Sequence, residues 1–289
     1  MVFNDGDNRV YIVPLIELSR PDNACDDKGR EEENGVLRLQ HLIQATGDLT
    51  DNRLVLALNA DTDAHFQQAL MLIYQDVVRA GGELALQLSY PMPVSGGEEA
   101  WRAKWAARLQ SGKERLELAG IAPVASRNVD HAWPSFMPQL LEEQEIVADY
   151  SCFPRLNQPE RRAVWTQGPL SADYLPSDSH AAWQNQPRSR ILTVPLGSDG
   201  LGAQDENALH IEKSDLNNLA RIWDALIARA EAAGEYQIVH CLFQSASATV
   251  PALLDRWQRF LSLVHQRQGQ FITSADAIAL RERFNRELT

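Results

Sequence analysis

The strongest constraint on the fold is a cadence: strand-like apolar runs and amphipathic helix-like runs alternate about seven times along the 289 residues. The strand-like runs are "VYIVPLIEL" (Val10–Leu18), "RLVLALN" (Arg53–Asn59), "GGELALQLSYP" (Gly81–Pro91), "IAPVAS" (from Ile121), "EIVADYS" (from Glu145), "RILTVPL" (from Arg190) and "YQIVHCLF" (from Tyr236). Between them, apolar residues recur at helical spacing. The clearest stripes are Phe66, Leu70, Ile73 and Val77; Trp101, Trp105, Leu109 and Leu116; Leu216, Leu219, Trp223 and Leu226; and Leu254, Trp257, Leu261 and Val264. "DTDAH" before Phe66 supplies Asp and Thr as helix caps, and Gly81-Gly82 and Gly120 supply helix stops. Strand–helix alternation calls for parallel strands joined by crossover helices, in an open sheet or a barrel. Asp22 to Asn34 reads as a charged loop, and Leu156 to Arg188 as one long excursion. No repeat or low-complexity linker divides the chain, so residues 1–289 are expected to form one domain.

Composition excludes several classes. Hydrophobic residues make up 44%, enough for a sizeable core, and 27 basic against 39 acidic side chains give a net charge of −12. Such a charge disfavours nucleic acid or an anionic membrane as partner. No apolar run reaches the ~18 residues needed to cross a bilayer, and "MVFNDGDNRV" shows no signal peptide, so as written the chain is expected to be cytoplasmic. Cys25, Cys152 and Cys241 are odd in number and widely spaced, which suits buried free thiols and not a disulfide framework or zinc ribbon. There is no G-x-S-x-G elbow, and "PLGSDGLGAQ" lacks dinucleotide-binding spacing; it reads as a loop.

Parallel α/β folds place their sites beyond the C-terminal strand ends. There the sequence offers Glu17 and Asp22; Asn59, Asp61 and Asp63; Gln87 and Ser89; Arg127, Asp130, His131 and Trp133; Ser198 and Asp199; and His240 and Gln244. The set is rich in carboxylates and amides and poor in the imidazoles that zinc prefers.

In order and local text the chain resembles the polysaccharide deacetylases of the NodB-homology type, carbohydrate esterase family four. "AGGELALQLSYP" resembles that family's histidine-motif strand, "LELAGIAPVASRNVDHAW" the approach to its arginine motif with Arg127 at the Arg, "MPQLLEEQEIVADYS" the helix and strand after it, "SRILTVPLGSD" a later strand ending in Pro, and "VHCLFQSA" the final Leu-x-His strand. The resemblance spans most of the chain, and none of the motifs is intact. It implies a deformed (β/α)7 barrel of the glycoside hydrolase/deacetylase type, and an ancestry of divalent-metal-dependent removal of acetyl groups from glycans.

The departures fall on the chemistry. Gln87 and Pro91 stand where the resemblance expects two metal-binding histidines, Leu15 and Glu17 occupy the Asp-motif stretch, and Gln244 replaces the late catalytic histidine. An amide oxygen is a weak zinc ligand and proline offers none. The expectation is therefore a pseudoenzyme of cell-surface polysaccharide metabolism with no metal or other cofactor. Glu17, Arg127 and Gln244 occupy the catalytic positions; Asp130, His131, Trp133, Trp165 and Trp183 are substrate-binding candidates, the indoles by stacking on sugar rings. Two alternatives accompany it: an active deacetylase with a divalent metal held by Glu17, Asp61, Asp130 and His131, and a non-catalytic partner of a glycan-synthesis enzyme.

Overall fold

The computed structural model describes residues 10–18, 28–60, 62–88, 97–176, 188–202 and 204–287. Asp22, Cys25, Asp61, Ser89, Pro91 and Trp183, with the roles expected of them, lie outside the described residues.

In chain order the elements are β1 (Val10–Glu17), α1 (Lys28–Thr50), β2 (Val55–Asn59), α2 (Gln68–Ala80), β3 (Glu83–Leu88), α3 (Gly97–Leu118), β4 (Ala125–Asn128), α4 (Met137–Glu143), β5 (Ala148–Asp149), β6 (Asn157–Gln158), β7 (Ala163–Val164), β8 (Asp173–Pro176), β9 (Arg188–Thr193), α5 (Leu216–Ala233), β10 (Gln237–Gln244), α6 (Pro251–Gln266), β11 (Gln270–Phe271) and α7 (Ser274–Glu287). All seven strand-like runs of the sequence become strands. One sheet runs β10-β1-β2-β3-β4-β5-β9-β8, and the pairs from β10 to β9 are all parallel. The sheet curls until its two ends meet. Beyond β9, Leu196 bridges His240 of β10 in parallel, with Gly197 donating to His240 O at 2.8 Å and His240 donating to Pro195 O at 2.9 Å. The result is a deformed (β/α)7 barrel.

Helices cover its outside as the stripes require. Trp223 and Trp257 are fully buried, and Trp257 stacks on Phe243 of β10 with ring centroids 5.3 Å apart while its indole N–H donates to Thr46 Oγ1 of α1. Each Leu, Ile or Phe buried this way contributes about 1.5–3 kcal/mol. Gly81, at φ 104, ends α2 in the left-handed conformation that glycine adopts without strain. The interior side of the sheet narrows along one row. Ala57, Ala85, Ala125 and Ala148 are register partners on β2 to β5, and Glu17 pairs with Ala57 at the end of that row. Methyl groups beside Glu17 leave space that longer side chains from the next level can enter.

Three local expectations need correction. Helix α1 begins at Lys28, inside the stretch expected to be a loop. Straight-chain charged residues favour helix without any apolar stripe, so a reading based on stripes passes over them. Asp63 and Thr62 do not cap α2: the cap position is Gln67, without a side-chain cap bond, while Asp63 opens a short 3-10 turn and pairs with Arg115 at 2.7 Å. The excursion after Leu156 holds a small antiparallel pair, β6 and β7, and then β8, which pairs antiparallel with β9. Cys152 and Cys241 are free and buried, as expected of isolated thiols.

Candidate functional site

At the C-terminal mouth of the barrel, side chains from β1, β3 and β4 come together beside the end of β10. Glu17 ends β1, Gln244 ends β10 as its register partner, Gln87 lies on β3, and Arg127 is Gln87's partner on β4. The Gln87 side-chain amide donates to Glu17 Oε1, and Arg127 Nε donates to Glu17 Oε2 at 3.4 Å. The Arg127 side chain is 3% exposed and that of Glu17 14%. Arg127 Nη1 also donates to Tyr150 O at 2.9 Å, which fixes the guanidinium between β1 and the end of β5.

The arc continues on the other side of Gln244. Residues 208–212 run beside β10: Leu242 donates to Leu209 O at 2.9 Å, Ile211 donates to Leu242 O at 3.1 Å, and His210 bridges Leu242 in parallel. His210 thereby lies on the same side as Leu242, its bridge partner; the chain then turns at residues 211–213, and Leu209 and Ile211 are buried. Glu212 Oε1 accepts the Gln244 backbone N–H at 2.7 Å. His210 and Glu212 are absent from the candidates that the sequence offers. Their signal is present in "ALHIE", where apolar and polar residues alternate with the period of a strand.

Beneath the mouth lies a buried polar layer. Asp149 accepts from Ser126 Oγ at 2.6 Å, Ser151 N at 2.7 Å and Ser151 Oγ at 2.9 Å. Burial raises its carboxyl to about 6 in spite of these donors and of the nearby Arg127. His240 Nδ1 lies 2.9 Å from Val194 O, and a carbonyl can only accept, so Nδ1 carries the proton and Nε2 is left as a bare acceptor without a partner among the described residues. Burial first, and then Arg127, lowers the His240 pKa to about 3. The same two causes hold His131 well below its usual range, and its Nδ1 is likewise 3.0 Å from a carbonyl, Ser151 O.

Other residues expected at the site do not join the arc. Asp130 and His131 are both in left-handed conformations, at φ 54 and φ 59, and Asp130 points away into an exposed pair with Arg161 at 3.4 Å. Asp199 also pairs outward, with Arg221 at 2.8 Å. Trp133 and Trp165 are 6% and 2% exposed and pack on each other at 5.3 Å. The indoles expected to offer open faces to a sugar are thus part of the core, because the excursion that carries Trp165 folds back over β4's end, where the Trp133 backbone N–H donates to Arg162 O at 2.8 Å.

A divalent metal does not fit this arrangement. The carboxylate best placed to bind one already faces a guanidinium and an amide N–H, which would oppose a cation. Among the described residues no three His, Cys, Asp or Glu side chains converge as a metal site.

No family model matches the sequence, and no curated protein matches it. Solved structures do match in shape. One from Mycobacterium smegmatis, described as a polysaccharide deacetylase, superposes with a TM-score of 0.60 at 14% identity, covering 98% of this chain and 93% of its own. The chain has the polysaccharide-deacetylase fold. A second structure so described, from Pseudomonas aeruginosa PAO1, gives a TM-score of 0.60 at 14% identity over 96% of this chain and 92% of its own. A 4-alpha-glucanotransferase from Thermococcus litoralis matches 93% of this chain at a TM-score of 0.55 and 10% identity, over 38% of its own length. Within the deacetylase fold, Glu17, Gln87, Arg127 and Gln244 occupy the strand ends where such barrels carry their chemistry.

Proposed function

We propose that the protein is a deacetylase-fold member of glycan metabolism that binds an oligosaccharide or polysaccharide at the barrel mouth and has lost metal-dependent hydrolysis. The observation that carries this reading is the Glu17–Gln87–Arg127 contact. A carboxylate that would ligate a cation is held instead by two donors, so water activation by a metal has no seat there. What remains is a rim of carboxylate, amide and guanidinium groups, suited to the hydroxyls of a neutral polyol. No cofactor enters this reading, and a net charge of −12 turns nucleic acid away.

The test is calorimetric titration with acetylated and non-acetylated oligosaccharides, alongside metal analysis of protein purified without chelator. Saturable glycan binding without stoichiometric metal is the expected result. One equivalent of a tightly held divalent ion, released together with deacetylase activity, would overturn it in favour of a rearranged carboxylate centre. Silence on every glycan would leave a supporting role beside a glycan-synthesis enzyme.

A further inference from the structure

We infer that residues 171–176 form a strap across the seam of the barrel, which detaches as a unit while the barrel itself stays closed.

The seam lies between β9 and β10 and is closed at two levels. At the upper level the two sides meet directly. His240 donates to Pro195 O at 2.9 Å, Gly197 donates to His240 O at 2.8 Å, and Leu196 bridges His240 in parallel. At the lower level they part, and the strap fills the gap. On one side it pairs antiparallel with β9, Asp173 opposite Thr193 and Tyr174 opposite Leu192. On the other, Ala172 donates to Ile238 O at 2.8 Å, and Ser171 Oγ accepts the Ile238 backbone N–H at 2.9 Å.

The two levels differ in what holds them. The upper one belongs to the parallel sheet, whose strand β9 keeps its other edge on β5, Ala148 opposite Leu192 and Asp149 opposite Thr193. The strap has a short ladder with a register shift between Tyr174 and Pro176. Towards β10 it has one backbone hydrogen bond and one to a serine hydroxyl among the described residues. Its pin is Asp173. Oδ1 of that residue accepts from Arg188 of β9 and from Arg281 of α7, each at 3.0 Å, and from the Tyr174 N–H at 2.9 Å. Asp173 is partly exposed and Arg188 largely so, and water weakens ion pairs of that kind. Ala172 and Leu175 are buried and dock the strap.

Local opening in a native protein starts where elements are short and held by exposed polar contacts. Detaching residues 171–176 breaks the β8 ladder, the two bonds to Ile238 and the contacts of Asp173. It leaves the β1–β10 and β5–β9 pairings and the bonds of His240 in place. The lower seam can therefore part without unfolding the barrel.

The experiment is native-state amide hydrogen exchange, read by NMR on the full chain and corrected for intrinsic rates, for wild type and Asp173→Asn. Ile238 and His240 stand two residues apart on β10 and turn their N–H groups to the same seam, one to the strap and the other to Pro195 O. In wild type the Ala172 and Ile238 amides should exchange at least about tenfold faster than the His240 amide. Asp173→Asn should speed Ala172 and Ile238 by a further factor of about three and leave His240 unchanged. Equal protection of the three amides in wild type means that the seam opens only with the whole barrel, and overturns the strap. A uniform rise at all three in Asp173→Asn overturns Asp173 as its pin. Should the variant fail to fold, the wild-type comparison alone decides.

Discussion

Gln87 donates its side-chain amide to the carboxylate of Glu17, a residue 70 positions earlier in the chain. The bond crosses β2, which lies between the two strands and pairs Ala57 with Glu17 and Asn59 with Gln87. It joins the strand end where the resemblance expects a metal histidine to the strand end where it expects the Asp motif.

Removing the carboxylate should expose its structural role. In Glu17→Leu the Arg127 guanidinium stays buried without its carboxylate partner, which costs about 3 kcal/mol. Urea denaturation of this variant measures the loss, and the double change Glu17→Leu with Arg127→Met should recover most of it. A loss under about 1 kcal/mol would show that the pair behaves like an exposed one.

Helix α3 approaches the barrel at a glycine. A Cβ on Gly112 would lie 2.8 Å from Ala60 Cβ and 3.1 Å from Leu86 Cδ2. Gly112→Ala should therefore destabilise the protein by about 1–3 kcal/mol although alanine is the better helix former. An unchanged or raised thermal midpoint would refute the close packing.

Asp149 gives a pH signature. Its folded pKa of about 6 exceeds the unfolded value near 3.9, so the folded state holds this proton more tightly. The contribution to stability is fully present below about pH 4 and is lost as pH rises through 6, to an extent of about 3 kcal/mol. Asp149→Asn cannot titrate. Denaturation midpoints of wild type relative to this variant should fall between pH 4 and pH 7; a constant difference would contradict the buried acid.

His240 acts in the opposite sense. Its pKa of about 3 in the fold lies below the unfolded value near 6.5, so its contribution is present above about 6.5 and is lost as pH falls towards 3. Nitrogen-15 NMR should show a neutral ring protonated on Nδ1 that does not titrate down to about pH 5. A midpoint near the ordinary value, or a proton on Nε2, would mean that the Val194 contact is not what holds the ring.

The cadence of the sequence carries most of the fold, because strand and helix periods are local properties: each run shows its own buried face without reference to any other. That is why the strands bearing Glu17, Gln87 and Gln244, and the helices bearing Trp223 and Trp257, are legible. The segment containing His210 and Glu212 is not, since it is a single bridge and a turn embedded among Gly, Asn and Asp. Its pairing with β10 depends on backbone groups more than thirty positions away.

What the sequence determined by itself was the set of groups available at the strand ends, and that Gln87, Pro91 and Gln244 stand at the three positions where the resemblance expects imidazoles. What only the tertiary structure decided was which of those groups meet. Curling the sheet until Leu196 reaches His240 brings the segment of Glu212 next to Gln244, and the return of the excursion over the end of β4 packs Trp165 against Trp133. Closure of a barrel is a long-range pairing, and no local pattern of apolar residues encodes it.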